Sequence, residues 1–150
     1  MKLDGWKTED RMWSLLDKYS LSEEYGSFVS AGKKYNVLPE FIVCISYADS
    51  DLGKALLTRN NIGNVGNNDR GNKVHYKSIE DGIMAIGKVL NNKYLSHKQS
   101  IGSLSVGGGG SAPYYATSTE NWNANVLNCM NMVHQDGTKF NEGSTFRTKI

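Results

Sequence analysis

Apolar residues recur every three or four positions in several stretches of this chain, the spacing of a helix with one buried face. The clearest stretch is residues 39–49, PEFIVCISYAD, which begins with proline, a residue suited to the first turn of a helix. Its apolar face is formed by Phe41, Cys44, Ile45 and Ala48. We expect this stretch to be a buried helix, the third along the chain.

Polar residues that suit the start of a helix mark four further helices. Thr8 and Ser22 begin the first two. Ser78 begins the fourth, with Asp81 three residues later as in a capping box. Residues 117–120, Thr-Ser-Thr-Glu, have the same form and open the last helix. The apolar side of that helix would consist of Trp122, Val126, Cys129, Met130 and Val133.

The remaining stretches lack a helical period. Residues 50–77 are rich in Gly and Asn, and we expect loops there, with room for a short and poorly hydrogen-bonded hairpin. The glycine run at 107–111 predicts a mobile loop inside the domain, because the roughly 40 residues after it are too few to fold alone. The sequence therefore predicts a mainly α domain over residues 1–137, with a small irregular or β lobe between its third and fourth helices. A frayed, polar C-terminal tail would occupy residues 138–150.

Composition excludes several classes of function. The chain has 150 residues, which suits one domain, and its net charge of +2 is too small to indicate a nucleic-acid partner. The longest apolar run, about five residues, is too short to span a membrane. The N-terminus lacks the apolar core of a signal peptide, so we expect export by another route or membership of a longer protein. The three histidines are scattered, and neither a metal site nor a cofactor is indicated.

The two cysteines, Cys44 and Cys129, both lie on apolar helical stripes. Neither belongs to a CxxC motif or has a histidine at metal-ligand spacing. Two interpretations stay open, which are a pair of buried free thiols and a disulfide between two long helices. A disulfide would indicate an oxidising compartment.

Asp49 is the strongest candidate for chemistry. It ends the apolar third helix, and a polar segment rich in glycine and asparagine follows it directly. Cleavage of a glycosidic bond needs a carboxylic acid that protonates the leaving sugar oxygen, beside amides that hold hydroxyl and N-acetyl groups. The simpler alternative is that Asp49 only caps or solvates a helix end.

Five short motifs in a fixed order favour the catalytic interpretation. They are D-S-x-x-G-K from Asp49, N-N-I-G-N from Asn60, Y-x-S from Tyr76, Y-A-T from Tyr115 and N-W from Asn121. This order resembles the lysozyme-like superfamily, and more narrowly the bacterial glucosaminidases and their lytic transglycosylase relatives. The resemblance covers roughly residues 37–135 and implies a lysozyme-like catalytic domain.

The resemblance implies cleavage of the β-1,4-linked GlcNAc/MurNAc backbone of peptidoglycan. The family's general acid is a glutamate, and the matching residue here is Asp49, which has the same chemistry but a shorter reach. Tyr115 would lie beside the scissile linkage, and Asp69 is the candidate for a second carboxylate. If Asp69 is remote, a single-acid mechanism follows, in which the substrate's own N-acetyl group or 6-hydroxyl is the nucleophile. Substrate-binding roles fall to Ser50, Asn61, Gly63, Asn64 and Tyr76, of which Ser50 and Asn61 would hydrogen-bond the acid or the sugar.

The alternative from another functional class is a non-catalytic glycan-binding or structural domain within a cell-wall-penetrating assembly. Both interpretations place the protein in the cell envelope, outside the cell or on a virion, with peptidoglycan strands as its partner. Asp49 discriminates between them, because an exposed carboxyl with an ordinary pKa favours binding and a buried one with a raised pKa favours acid catalysis.

Overall fold

A computed structural model of the chain describes residues 7–68, 70–119, 121–134 and 138–148. Helices dominate these residues, which confirms the prediction of a mainly α protein. The α-helices are α1 (Thr8–Lys18), α2 (Tyr25–Tyr35), α3 (Pro39–Ser50), α4 (Ile79–Leu90) and α5 (Asn121–Val133). Two short 3-10 helices lie at Ser22–Glu24 and Ile101–Leu104.

Helix α3 forms the centre of the core. The five residues from Phe41 to Ile45 have no solvent exposure, so the helix is buried on all sides rather than on one face. It packs mainly against α5 and α2, and a disulfide between Cys44 and Cys129 joins it to α5. The disulfide alternative for the two cysteines is therefore the one that the structure adopts.

The helix starts follow local hydrogen bonding, with two shifts from the predicted caps. At α4 the Ser78 hydroxyl accepts the Asp81 N–H at 3.0 Å, as predicted. At α5 the hydroxyl of Ser118, rather than that of Thr117, accepts the N–H groups of Asn121 and Trp122 at 3.3 and 3.5 Å. Ser22 opens a 3-10 turn, and α2 itself begins three residues later.

Residues 51–68 and 70–78 form an irregular lobe of turns and bends between α3 and α4. Its described part contains no β-strand, so of the irregular and β alternatives it is irregular. Asn61 organises the lobe from inside, since its amide donates to the carbonyls of Val65 and Val74 and accepts the Val65 N–H. Ser50, the last residue of α3, ties the helix to the lobe by donating to the Ile62 carbonyl at 2.7 Å.

Residues 138–148 are packed onto the helices, so the predicted frayed tail is wrong for this stretch. Phe146 is fully buried and stacks on Phe41, with ring centroids 4.7 Å apart. The Arg147 guanidinium donates to the carbonyls of Leu90 and Lys98, both at 2.9 Å, and so caps the end of α4. Periodicity could not find this contact, because the segment has no regular element of its own.

The glycine-rich segment 107–111 is hydrogen-bonded into the domain. The Gly107 N–H donates to Ser118, and the Gly110 N–H donates to Ser105, both at 3.0 Å. The buried ammonium of Lys98 donates to the carbonyls of Ser103 and Ser111 on either side of this loop. Burial lowers the pKa of Lys98.

Two helical glycines provide a matched test of how tightly the lobe meets α4. A Cβ added at Gly82 would lie 1.9 Å from the Asn60 carbonyl oxygen, whereas one added at Gly26 in α2 would meet nothing within 4 Å. We expect Gly82→Ala to lower the free energy of unfolding by about 2–3 kcal/mol, through overpacking against backbone. Gly26→Ala should raise it by about 0.5 kcal/mol, because alanine favours helix. Urea denaturation followed by circular dichroism measures both, and equal effects at the two positions would contradict the close contact.

Candidate functional site

A cleft of about 340 Å³ lies where the end of α3, the irregular lobe and the start of α5 meet. The end of α3 contributes the acid, the lobe contributes amides, and α5 with the loop before it contributes aromatic, hydroxyl and amide groups. The lining residues are Ala48, Asp49, Gly63, Asn64, Asn67, Tyr115, Ala116, Thr117, Ser118, Asn121, Trp122 and Asn125.

Asp49 lies on the last turn of α3, where the helix emerges from the core into this cleft. Its Oδ2 atom is buried and has no hydrogen-bond partner among the described residues. Burial raises the pKa of Asp49 from 3.8 to about 7, and the indole N–H of Trp122 opposes that rise. A carboxyl group with this pKa is protonated in a large fraction of molecules near neutral pH, so it can act as a proton donor there.

Tyr115 forms an aromatic wall beside the acid. Its ring stacks on Trp122, with centroids 5.6 Å apart and an interplanar angle of 28°. Its hydroxyl donates to the Gly63 carbonyl at 2.7 Å. Burial raises the pKa of Tyr115 well above 10, and the nearby charge of Asp49 adds to the rise. The phenol therefore stays neutral, with its hydroxyl holding the lobe and its ring beside the acid.

Gly63 permits this close approach of the loop before α5 to the lobe. A Cβ at this position would lie 2.7 Å from the Tyr115 hydroxyl oxygen and 2.5 Å from a side-chain carbon of Ile86. Any larger residue would therefore push Tyr115 or α4 away. Gly63 belongs to the cleft through its backbone, as the carbonyl that Tyr115 binds.

Asn64 and Asn67 form the wall of the cleft that comes from the lobe. Asn64 has a left-handed backbone with φ +52°, and its amide donates to the backbone carbonyl of Asp49 at 3.0 Å. The Asn67 amide donates in turn to Asn64 at 3.4 Å and to Thr58 at 3.1 Å. These bonds fix the lobe against the residue that carries the acid.

Ser50 and Asn61 do not line the cleft. Both side chains are buried, and their polar atoms are bonded to the backbone of the helix and the lobe. The structure thus corrects the expectation that they hydrogen-bond the acid or the sugar, because their donors serve the lobe's own carbonyl groups. Tyr76 lines a neighbouring groove of about 660 Å³ beside Tyr35 and Met84 rather than the cleft itself.

Asp69, the candidate second carboxylate, lies outside the described residues. Among the described residues that line the cleft, Asp49 is the one carboxyl group. Of the residues predicted for the site, the structure brings Asp49, Tyr115, Gly63 and Asn64 together in the cleft, and it adds Asn67, Ser118 and Asn125, to which sequence reasoning assigned no role. The Asn-rich composition pointed to amides in general without indicating which of them face the cleft.

No group of three or more His, Cys, Asp or Glu side chains in the described ranges is placed to hold a metal ion. Across the same part of the chain, no helix has both the length and the apolar character needed to cross a membrane.

The chain was compared with protein-family models, with curated proteins and with solved structures, and none of these comparisons found a match. Any statement about function therefore depends on the chemistry of the cleft and on the sequence motifs that surround it.

Proposed function

We propose that this protein cleaves the β-1,4-linked aminosugar backbone of peptidoglycan, with Asp49 as its general acid in a lysozyme-like domain. One observation carries the proposal, which is a carboxyl group with a buried, unpartnered oxygen and a pKa of about 7 facing a cleft. An ordinary helix-end aspartate is solvated and has a pKa near 4. The motifs that resemble glucosaminidases and lytic transglycosylases supply the substrate class.

The proposed reaction needs one acid on the protein. Asp49 donates its proton to the glycosidic oxygen as the bond between that oxygen and the anomeric carbon breaks, and the bond's electron pair stays on the oxygen. The acid becomes a carboxylate. The substrate's N-acetyl oxygen or 6-hydroxyl forms the new bond to the anomeric carbon, and in the second case the hydroxyl proton returns to Asp49. In the first case water then attacks the anomeric carbon, the bond from that carbon to the N-acetyl oxygen breaks, and the proton lost by the water returns to Asp49.

Recognition of the sugars would come from the walls of the cleft. The ring of Tyr115 offers a face on which a sugar can pack beside the acid. Asn121 and Asn125 are exposed on α5 along the edge of the cleft, where amides can bond hydroxyl and N-acetyl groups. Tyr76, in the neighbouring groove, and Asn64, in the lobe wall, keep their proposed binding roles.

The disulfide supports the proposed location. A buried disulfide between α3 and α5 suits an oxidising environment, and peptidoglycan itself lies outside the bacterial cytoplasm. We therefore propose the cell envelope, the extracellular space or a virion as the place where the protein acts, alone or within a larger assembly.

The pKa of Asp49 predicts how cleavage depends on pH. The acid works in its protonated form, so activity should be highest below pH 7 and should fall about tenfold per pH unit above it. Initial rates of release of soluble fragments from peptidoglycan, measured from pH 5 to pH 9, test this. A rate that is flat across pH 6–8 would contradict a general acid with this pKa.

The proposal itself is tested by incubating the protein with purified peptidoglycan and analysing the soluble fraction by mass spectrometry. Released muropeptides are the expected result. Fragments with 1,6-anhydro ends would identify attack by the 6-hydroxyl. Fragments heavier than these by one water would identify hydrolysis. Sedimentation of the intact protein with peptidoglycan, without any release, would overturn the enzymatic proposal in favour of the glycan-binding alternative.

A further inference from the structure

Two buried polar atoms that lack hydrogen-bond partners belong to two residues that line the same cleft. The Oδ2 atom of Asp49 and the Nε1 atom of Trp122 are both buried, and neither forms a hydrogen bond within the described residues. Trp122 as a whole is only 4% exposed, so water does not provide its N–H with a ready partner. An unpaired buried indole N–H costs free energy, and indole nitrogens in protein interiors are usually bonded.

The Trp122 N–H and the Asp49 side chain suit each other as donor and acceptor when Asp49 is deprotonated. A protonated carboxyl is neutral, so its burial costs much less than that of the carboxylate left after proton transfer, which needs a donor. The indole N–H is only a donor, so it can serve the carboxylate. The Trp122 indole N–H favours the charged form of Asp49, because its effect lowers a pKa that burial raises.

Other groups around Asp49 do not supply this donor. The Tyr115 hydroxyl, the other titratable group of the described cleft wall, stays neutral and already donates its one proton to the Gly63 carbonyl. Tyr76 lines the neighbouring groove and not the cleft that holds Asp49. The Asn64 amide is directed at the backbone carbonyl of Asp49 rather than at its side chain.

We propose that the Trp122 indole N–H is the donor that receives the Asp49 carboxylate once the acid has given up its proton. Trp122 is then a positioning residue for the general acid, a role that rests on the proposed function. The donor is unpaired before the reaction and paired after it, so the interaction is strongest where negative charge develops. Its place at the start of α5, held by the Ser118 cap and by stacking on Tyr115, keeps the indole fixed against α3.

Trp122→Phe tests this role, because phenylalanine keeps an aromatic ring and removes the N–H. The pKa of Asp49, followed by NMR of the ¹³C-labelled carboxyl group, should rise by about one or more in the variant, as expected for loss of a bond to a charged group. Trp13→Phe, which removes an exposed indole on α1, is the matched control and should leave that pKa unchanged. A folded Trp122→Phe protein with an unaltered Asp49 pKa would overturn the proposal.

The wild-type protein provides a second measurement that does not depend on how the variant folds. The indole ¹H–¹⁵N resonance of Trp122 should move with the same midpoint as the Asp49 titration, while that of Trp13 should not. A Trp122 indole resonance that does not shift as Asp49 titrates would also overturn the proposal. Both measurements work on a protein without substrate, so they can fail while cleavage succeeds, or succeed while cleavage fails.

Activity adds a signature that a purely structural role would not produce. If the protein cleaves peptidoglycan, Trp122→Phe should slow cleavage several-fold below pH 7 and move the alkaline fall in rate upwards by about one pH unit, since the acid becomes weaker. A lower rate with an unmoved pH profile would assign Trp122 to packing alone.

Discussion

Asp49→Asn is expected to abolish the release of muropeptides, lowering the rate by at least about a hundredfold, the usual contribution of a general acid. Asparagine has nearly the shape of aspartate and keeps an oxygen at the same place, but it has no proton of comparable acidity to donate. The measurement is the rate of soluble product formation from peptidoglycan at pH 6, where the wild-type acid is mostly protonated.

The matched control is Asp51→Asn, two residues further along the chain. It makes the same replacement of a carboxyl by an amide at an exposed position, and its left-handed backbone, φ +51°, suits asparagine as well as aspartate. We expect Asp51→Asn to cleave at close to the wild-type rate. Equal activity of the two variants would mean that Asp49 is not the acid.

Asp49→Asn should lower activity but raise the stability of the folded protein above neutral pH. The folded-state pKa of about 7 lies above the ordinary 3.8, so between pH 4 and 7 the folded protein holds a proton that the unfolded chain has lost. The free energy of unfolding therefore falls as pH rises through this window, by up to about 4 kcal/mol. Asparagine does not titrate, so the variant lacks this fall and should exceed the wild type in stability at pH 8. Urea denaturation at pH 5 and pH 8 compares the two.

A residue whose loss stabilises the fold and removes the reaction is one that the structure retains for chemistry. Neither half of that result would be expected of an aspartate that caps a helix. Loss of a cap destabilises the helix, typically by about 1 kcal/mol, and has no reason to change a reaction rate.

Local signals in the sequence predicted the helices because each signal acts within a few residues. Pro39 and Ser78 set the starts of α3 and α4 through their own backbone and hydroxyl groups, and both were predicted. Phe146 illustrates the opposite case. Its burial depends on Phe41, far away in the chain, and no periodic pattern around residue 146 indicates that partner.

In the candidate site, too, local signals predict some residues, whereas others depend on distant parts of the chain. Asp49 could be predicted because its position, an acid at the end of an apolar helix, is a local fact. The hydrogen-bond partner of Ser50 could not be predicted, because the hydroxyl of a serine at a helix end can bond a neighbouring acid, a ligand or a carbonyl group. The lobe decides among these, since the buried Ile62 carbonyl needs a donor and Ser50 is within 2.7 Å of it. Trp122 was predicted as a core residue, and a role for its indole N–H could be inferred only from the unpaired Oδ2 atom of Asp49 in the same cleft.

Removing the disulfide is expected to have the largest effect on stability. Cys44 and Cys129 are 85 positions apart, and a crosslink that closes a loop of this length restricts the unfolded chain by about 4 kcal/mol in the chain-entropy description. The double variant Cys44→Ala, Cys129→Ala should lose about that much free energy of unfolding, a large part of the stability of a small domain. Urea denaturation followed by circular dichroism measures the loss.

Reductant provides the control for this experiment. Dithiothreitol should lower the urea midpoint of the wild type and leave that of the alanine variant unchanged, because the variant has no bond to reduce. Free thiols in the wild type with an unmoved midpoint would show that helix packing alone holds α3 to α5.

The consequence for function follows from which helices the bond joins. Helix α3 carries Asp49 one turn beyond Cys44, and α5 carries Trp122 two turns before Cys129, so the crosslink fixes the two elements that present the acid and its proposed donor. We expect a reduced protein that is still folded to cleave more slowly and to show a raised Asp49 pKa, since small movements of α5 would separate the pair. An unchanged Asp49 pKa after reduction would confine the role of the disulfide to stability.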